Sequence, residues 1–358
     1  MISKHLCHHH IVSRLAAPGF ILCLGVASPP VADGQSKWEV LPTGTTSSFR
    51  GLSVVNDSVV WASGTRGTVL RSTDGGRSWQ VDTVPGAGSM DLRAIHGTSD
   101  RVAHVAATSG RIWRTTDGGR SWSLRYQASD TSVFLDGIVF ADERFGLTLG
   151  DPLNGRFLIL VTRDAGDSWE EAAELSRPPA APGEAAFAAS GTSLVMTHGR
   201  YAWLGTGGST TRVYRSADRG ATWIAESPGM LERAGSGGVF SLAFADSLHG
   251  TAVGGDYLQP DSTRGNAAFT VDGGRTWLKP ASPPGGYRSG AAIHREGDRL
   301  TAIAVGTNGT DISRDGGRTW TPLDASPFNA VQFAPSGVAF AAGARGVIAR
   351  LDLRQLPH

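Results

Sequence analysis

Short apolar runs alternate with polar turns along the chain from about residue 49 to its end. In the first unit, an apolar run at 51–55 is followed by Asn56-Asp57 and then by a second apolar run at 59–64. Runs of this length that contain β-branched residues and end at Gly, Asn or Asp predict β-strands joined by tight turns. Long helices are not expected, because 48 of the 358 residues are Gly and 18 are Pro. The pattern predicts an all-β fold.

One phrase, Ser/Thr-x-Asp-x-Gly-x-Ser/Thr-Trp, occurs six times. Its aspartates lie 43, 47, 54, 54 and 43 residues apart, at Asp74, Asp117, Asp164, Asp218, Asp272 and Asp315. This spacing is close to the period of about 40 to 50 residues that is typical of β-propeller blades. The aspartate can accept hydrogen bonds from the amides that follow it, and the glycine permits a positive φ. The phrase therefore predicts a hairpin turn, and its Trp fills the gap between neighbouring sheets.

The phrase resembles the Asp-box, or BNR, repeat of sialidases and several other propellers. That resemblance implies that the six aspartates are structural and lie at the periphery of the blades. A calcium-binding role is the alternative, but one carboxylate per turn provides far fewer than the six to eight oxygen ligands that calcium prefers. No metal site is predicted.

The units between the phrases predict seven blades, each an antiparallel sheet of four strands. The last unit lacks a fourth strand, and Lys37-Trp38-Glu39-Val40 repeats the Trp-led strand that follows every phrase. The N-terminal strand is therefore expected to complete the last blade, which leaves no exposed sheet edge at the closure. The predicted blades cover residues 49–81, 90–125, 133–171, 184–225, 239–279, 287–323, and 328–351 together with 37–41.

The chain is also similar, over nearly all of its predicted propeller, to the photosystem II assembly and stability factor family of bacteria and plastids. The similarity rests on Gly-Thr-Arg-Gly-Thr-Val-Leu-Arg-Ser-Thr-Asp-Gly-Gly at 64–76 and on a related phrase at 343–350. It implies a lumenal or periplasmic scaffold that binds other proteins and assists their assembly. Long insertions in the third, fourth and fifth units, such as 255–264, depart from the family pattern.

Residues 1–32 read as a secretory signal peptide, followed by a single propeller at 33–358. The apolar run at 20–27 is followed by Ser28-Pro29-Pro30, as expected before a cleavage site. A membrane anchor is the alternative, but the run is short for a bilayer and is preceded by Pro18-Gly19. We expect a secreted or periplasmic monomer that has no membrane span after cleavage and no disulfide, because both cysteines lie in this segment.

Charge argues against a nucleic-acid partner. The chain has 33 Lys and Arg against 32 Asp and Glu, and no run of five or six like charges. It therefore lacks the basic footprint that nucleic acids or anionic membranes require. It also lacks the glycine motif and the cysteine or histidine spacing of redox cofactor sites after the N-terminal segment, so no cofactor is predicted.

One polar residue per unit falls at an equivalent position ahead of the first strand. These residues should surround the mouth of the central channel: Arg50, Arg93, Asp136, Glu184, Ser241, Arg288 and Asn329. Loops between the second and third strands open on the same face and add Asp151, Asp256 and Tyr257. Two interpretations stay open, since the charges can pair with one another across a water-filled channel or can bind a ligand.

The favoured prediction is a non-catalytic scaffold that binds a protein, a small ligand or a glycan at this face. The alternative is a sialidase-like or other glycoside hydrolase. For that reaction the arginines would bind a carboxylate, Tyr287 would be the nucleophile, Glu184 its activator and Asp136 the acid. The sequence around Arg50 only partly matches the arginine-containing phrase of sialidases, so no catalytic residue is predicted in the favoured interpretation.

Overall fold

Seven β-sheets form a closed ring in the computed structural model, which describes residues 37–233 and 235–356. The innermost strand of each sheet contacts the innermost strands of both neighbours. The seven-bladed propeller predicted from the sequence is confirmed. The predicted signal peptide lies outside the described residues.

Four antiparallel strands build each of the first three blades. Blade one contains Phe49–Val54, Val60–Gly64, Thr68–Ser72 and Gln80–Thr83. Blade two contains Leu92–Gly97, Ala103–Ala107, Arg111–Thr115 and Ser123–Gln127. Blade three contains Leu135–Phe140, Gly146–Leu153, Arg156–Thr162 and Glu170–Glu171.

The remaining blades differ in their edges. Blade four contains Leu194–Thr197, Tyr201–Gly205, Val213–Ser216 and Ile224–Glu226. Blade five contains Gly237–Phe244, Gly250–Asp256 and Ala267–Thr270, and an isolated bridge between Phe269 and Leu278 stands in place of its outer strand. Blade six contains Gly290–Glu296, Arg299–Gly306, Gly309–Ser313 and Thr321–Asp324. Blade seven contains Ala330–Phe333, Val338–Ala342, Ile348–Asp352 and Glu39–Leu41.

Helical structure is minimal. The described residues contain three short 3₁₀ helices, at Thr65–Gly67, Glu174–Ser176 and Leu353–Gln355. Within those residues, no helix has the length and apolar character needed to cross a membrane.

The N-terminal strand closes the ring as predicted. Glu39 pairs with Arg350 and Leu41 with Ile348 in an antiparallel register. The adjoining Trp38 is 3% exposed, and its ring lies 5.0 Å from that of Phe328 between centroids. The two ends of the described chain therefore share one sheet and one hydrophobic cluster.

The core lies between blades rather than within them. Trp122 of blade two packs edge-on against Trp61 of blade one, with ring centroids 6.4 Å apart. Trp203 of blade four stacks on Phe244 of blade five at 3.6 Å. Large aromatic side chains suit these gaps because each removes a large apolar area from water.

All six box turns share one set of hydrogen bonds. In the second box, Asp117 Oδ1 accepts from the Ser121 amide at 3.0 Å, and Oδ2 accepts from the Ser121 hydroxyl at 2.6 Å. The Thr115 hydroxyl donates to Asp117 and accepts from the Gly119 amide at 2.9 Å. The hydrogen bonds from Ser121 lower the pKa of Asp117 to about 2. Both carboxylate oxygens of Asp117 therefore accept hydrogen bonds from residues of the same turn.

The fourth blade begins later than the sequence predicted. Residues at 184–185 were expected to start its innermost strand, but Leu194–Thr197 takes that position. Glu184 and Ala185 instead pair with Gly208 and Gly207, which extend the inner edge of blade five. The glycines permit this close approach, because a Cβ at Gly207 would lie 2.4 Å from the carbonyl oxygen of Gly237.

Candidate functional site

A β-bulge places one residue of several innermost strands at the mouth of the channel. The pairing register shifts by one residue at Arg50, Arg93, Asp136 and Phe240. A bulged residue has no partner in the ladder and can turn its side chain away from the sheet. All four line one cavity of about 500 Å³, which is the candidate site.

The cavity is lined by aromatic residues and by the strap, which we define as residues 185–189. The aromatic wall consists of Phe134, Phe240, Tyr257 and Tyr287, and Ser289, Thr307 and Asn329 complete the lining with polar atoms. Tyr287 meets Phe240 edge-on with centroids 4.8 Å apart. The mixture of apolar walls and a few polar groups is typical of a binding pocket.

Two arginines face the strap. Arg50 Nη1 donates to the carbonyl oxygen of Ala189 at 3.4 Å, and Arg93 Nη1 donates to that of Ala188 at 3.5 Å. Arg93 is also held by its Nε, which lies 2.8 Å from Asp91 Oδ2. Burial and the neighbouring charge of Arg93 lower the pKa of Arg50. The cavity therefore holds two adjacent cations, and the hydrogen bonds that they donate to the strap are long.

Two carboxyl groups lie beside them. Asp136 is completely buried, and neither of its oxygens has a hydrogen-bond partner among the described residues. Burial and the nearby Asp151 raise the pKa of Asp136 well above its ordinary value, against the opposing charge of Arg93. Asp151 accepts from the amide of Ala186 at 3.1 Å, and burial raises its pKa as well. An unpartnered buried carboxyl costs free energy that a bound group can recover.

The tyrosines and Asn329 are oriented by local contacts. Tyr287 is 4% exposed, and burial raises the pKa of its hydroxyl. Tyr257 is half-exposed, and its hydroxyl donates to the carbonyl oxygen of Gly235 at 3.2 Å. Asn329 Nδ2 donates to the carbonyl oxygen of Phe49 at 2.8 Å, which ties blade seven to blade one. All three predicted positions reach the cavity.

Arg288 does not follow the prediction that it surrounds the channel mouth. Its side chain is 3% exposed and forms an ion pair with Asp311, whose Oδ2 accepts from Nε at 2.6 Å. Nη1 donates to the carbonyl oxygen of Tyr287 and to Asn308. Ser289, one residue later, lines the cavity in its place.

Glu184 and Asp256, which were also assigned to the channel face, form ion pairs away from the cavity. Arg212 pairs with the buried Glu184 through both carboxylate oxygens, and the Thr206 hydroxyl donates to Oε1 at 2.6 Å. Asp256 is buried, and its Oδ2 lies 3.0 Å from Arg233 Nε. Both carboxylates therefore have cationic partners outside the cavity.

Sequence reasoning named Tyr257 and Tyr287 but missed the phenylalanines of the site. Ser241 was aligned with the channel residues, but it pairs with Val253, and its hydroxyl bonds to Thr192 at 2.6 Å. The preceding Phe240 occupies the bulge. An alignment on the glycine or small residue that follows each bulge would have found it.

No family model matches the sequence. A curated protein described as photosystem II assembly lipoprotein Ycf48, from Picosynechococcus sp., is 29% identical over 341 residues, which cover 93% of this chain and 92% of that protein. The chain resembles the photosystem II assembly factor family.

Solved structures show the same fold. The structure described as YCF48 bound to D1 peptide has a TM-score of 0.63 at 16% identity and covers 89% of this chain and 98% of that chain. YCF48 from Cyanidioschyzon merolae has a TM-score of 0.60 at 19% identity, with 89% and 99% covered. The GH74 xyloglucanase from Xanthomonas campestris has a TM-score of 0.60 at 16% identity, with 90% of this chain but 54% of that chain covered. These likenesses extend from assembly factors to a glycosidase, so the fold alone does not select a function.

Proposed function

We propose that this chain is a non-catalytic assembly scaffold that binds a segment of a partner protein in the channel-face cavity. The observation that carries the proposal is the cavity itself, where Arg50 and Arg93 lie beside a wall of four aromatic rings. Arginines suit the carbonyl and carboxylate oxygens of a polypeptide. Aromatic walls suit its apolar side chains.

The resemblance to assembly factors supports a protein as the partner. Ycf48 is described as an assembly lipoprotein, and one YCF48 structure is described as bound to a D1 peptide. By analogy, we propose a segment of a protein under assembly as the occupant of this cavity. The signal-like N-terminal sequence supports a location outside the cytoplasm, so the partner is proposed to expose this segment there.

A non-catalytic role is supported by the positions of the groups that a hydrolase would use. Glu184 is engaged by Arg212 and Thr206, and no hydrogen bond joins it to Tyr287 in the described part of the chain. The proposed activator and nucleophile thus lack the mutual contact that activation requires. Asp136 retains no partner that would orient it as an acid.

Affinity capture tests the proposal. The mature protein is immobilised and exposed to a detergent extract of the native cell envelope, and bound material is identified by mass spectrometry for proteins and by sugar analysis for glycans. We expect one or a few membrane-complex subunits. Arg50→Ala combined with Arg93→Ala should reduce their capture by about tenfold, or about 1.4 kcal/mol, whereas the exposed box-turn pair Arg77→Ala and Arg120→Ala should not.

Two outcomes would overturn the proposal. One is equal capture by the wild type and the double Arg50→Ala/Arg93→Ala variant. The other is cleavage of a glycoside by the wild type that disappears in Tyr287→Phe, since a scaffold has no turnover to lose.

A further inference from the structure

The strap lies in the candidate site in the manner of a bound peptide. Its Phe187 ring stacks on Phe240 with centroids 3.9 Å apart and planes inclined by 12°. Its Ala186 amide donates to Asp151, and its last two carbonyl oxygens face Arg93 and Arg50. An extended polypeptide held by an aromatic anchor and by backbone hydrogen bonds is a common mode of peptide recognition.

The strap fits this site imperfectly. Its two bonds to the arginines are 3.4 and 3.5 Å long, against about 2.9 Å for a good N–H···O hydrogen bond. Asp136, which the strap residues help to enclose, has no partner for either oxygen among the described residues. A long hydrogen bond contributes little to stability, and a buried polar group without a partner is destabilising. A segment that brings a polar group to Asp136 and closer acceptors to the arginines would bind better.

The two ends of the strap are anchored by contacts outside the cavity. Glu184 is fixed by Arg212 and Thr206 and by pairing with Gly208. On the other side, Gly191 has a φ of +73°, and Leu194–Thr197 is paired within blade four. Residues 185–189 contribute one strand pairing, between Ala185 and Gly207, and otherwise contact the propeller through the burial of three alanines, the Phe187 stack and the hydrogen bonds described above.

We propose that the strap is a resident substitute for the partner's segment and that the partner displaces it on binding. The inference rests on the proposed function and specifies the partner's chemistry. The displacing segment is extended, carries an aromatic side chain flanked by small residues, and presents one polar group to Asp136. The aromatic ring takes the seat of Phe187 against Phe240, and two backbone oxygens meet Arg50 and Arg93.

A peptide added in trans tests this directly. In the test variant, residues 185–189 are replaced by Gly-Ser-Gly-Ser-Gly, and its fold is checked by its melting transition. The probe is a synthetic Glu-Ala-Ala-Phe-Ala-Ala-Ser peptide, and the control peptide has Ser in place of Phe. We expect saturable binding of the probe to the variant, at least about tenfold weaker binding to the wild type, and no binding of the control. A folded variant that binds both peptides alike, or neither, would overturn the inference.

A second variant covers the case in which the replacement disrupts folding. Phe187→Ser keeps the strap but removes its anchor, so the captured partner should bind this variant about tenfold more tightly than it binds the wild type. Amide hydrogen exchange at 185–189 in the wild type should accelerate when the partner binds. If the partner binds the two proteins equally and the strap keeps its exchange rate, displacement is wrong while the scaffold proposal stands. If no partner binds any variant, the scaffold proposal itself fails.

Discussion

Arg288 donates from Nε to Asp311 Oδ2 at 2.6 Å, and both side chains are almost completely buried at the start of blade six. This arginine therefore stabilises the fold and is separate from the channel-face arginines. We therefore expect substitution of Arg288 to lower stability, and substitution of Arg50 and Arg93 to weaken binding.

Arg288→Ala should strongly destabilise the protein. It leaves the carboxylate of Asp311 buried without its cation, and breaking a buried pair in this way costs about 3 to 5 kcal/mol. The measurement is the urea concentration at the midpoint of unfolding, compared between proteins whose m values are equal. Arg50→Ala is the matched control and should lower the midpoint much less, because its single described hydrogen bond is 3.4 Å long. Equal midpoints for the two variants would contradict this assignment.

Acid should destabilise the protein through His104. Burial lowers the pKa of His104 to about 3 and outweighs the hydrogen bond to the Ala165 carbonyl oxygen, which acts in the opposite direction; the facing His96 and Arg114 add smaller lowering effects. The unfolded chain takes up this proton near pH 6.5. Between pH 6.5 and about 3 the unfolded state binds more protons, so stability falls as pH falls, by about 1.4 kcal/mol per pH unit.

The comparison is between the wild type and His104→Gln, whose side-chain amide can still donate to Ala165. Unfolding midpoints at pH 7, 6 and 5 should fall less steeply with acid in the variant. Parallel slopes in the two proteins would show that His104 does not titrate differently in the folded state.

The box aspartates should affect stability but not binding. Burial raises the pKa of Asp315, but hydrogen bonds from Thr319 and Ser313 outweigh it and leave the pKa below its ordinary value. Asp315→Ala removes these acceptors and should cost about 1 kcal/mol, the usual loss for a capping hydrogen bond. Asp315→Asn keeps one acceptor oxygen and should cost less. A folded Asp315→Ala variant that no longer captures the partner would refute the structural role.

Deletion of residues 37–41 should open the ring. It removes the outer strand of blade seven and the Trp38 side chain, and it exposes the edge of Ile348–Asp352. Exposed strand edges promote association, so the variant should melt at a lower temperature or aggregate on heating. Glu39→Ala is the control, since it removes only the partly exposed ion pair with Arg350, which is worth about 1 kcal/mol or less. An unchanged melting temperature for the deletion would contradict closure by the N-terminal strand.

The number of blades and the closure followed from the sequence because the box turn is a local structure. Each box aspartate bonds to a residue four positions later, as Asp74 does to Ser78. A local contact leaves a fixed phrase in the sequence, and the phrase recurs once per blade. The Trp-led strand that follows each phrase then indicated that Trp38 belongs to the last blade.

Arg50, Arg93 and Asp136, which the same reasoning assigned to the channel mouth, line the cavity, whereas Ser241 and Arg288 do not. In blades five and six the alignment by strand starts was one residue off, and it selected Ser241 in place of Phe240 and Arg288 in place of Ser289. In such strands one residue of error moves a side chain to the opposite face.

The tertiary structure alone decided what fills the site. Glu184 pairs with Arg212, and Phe187 stacks on Phe240, between segments that no repeat relates. Such contacts depend on how an insertion packs against two blades at once, and a pattern of apolar and polar residues carries no record of that packing. The sequence by itself therefore determined the ring and four of the seven channel positions assigned from it, namely Arg50, Arg93, Asp136 and Asn329. The partners of those positions, and the strap between them, are set by long-range packing and burial.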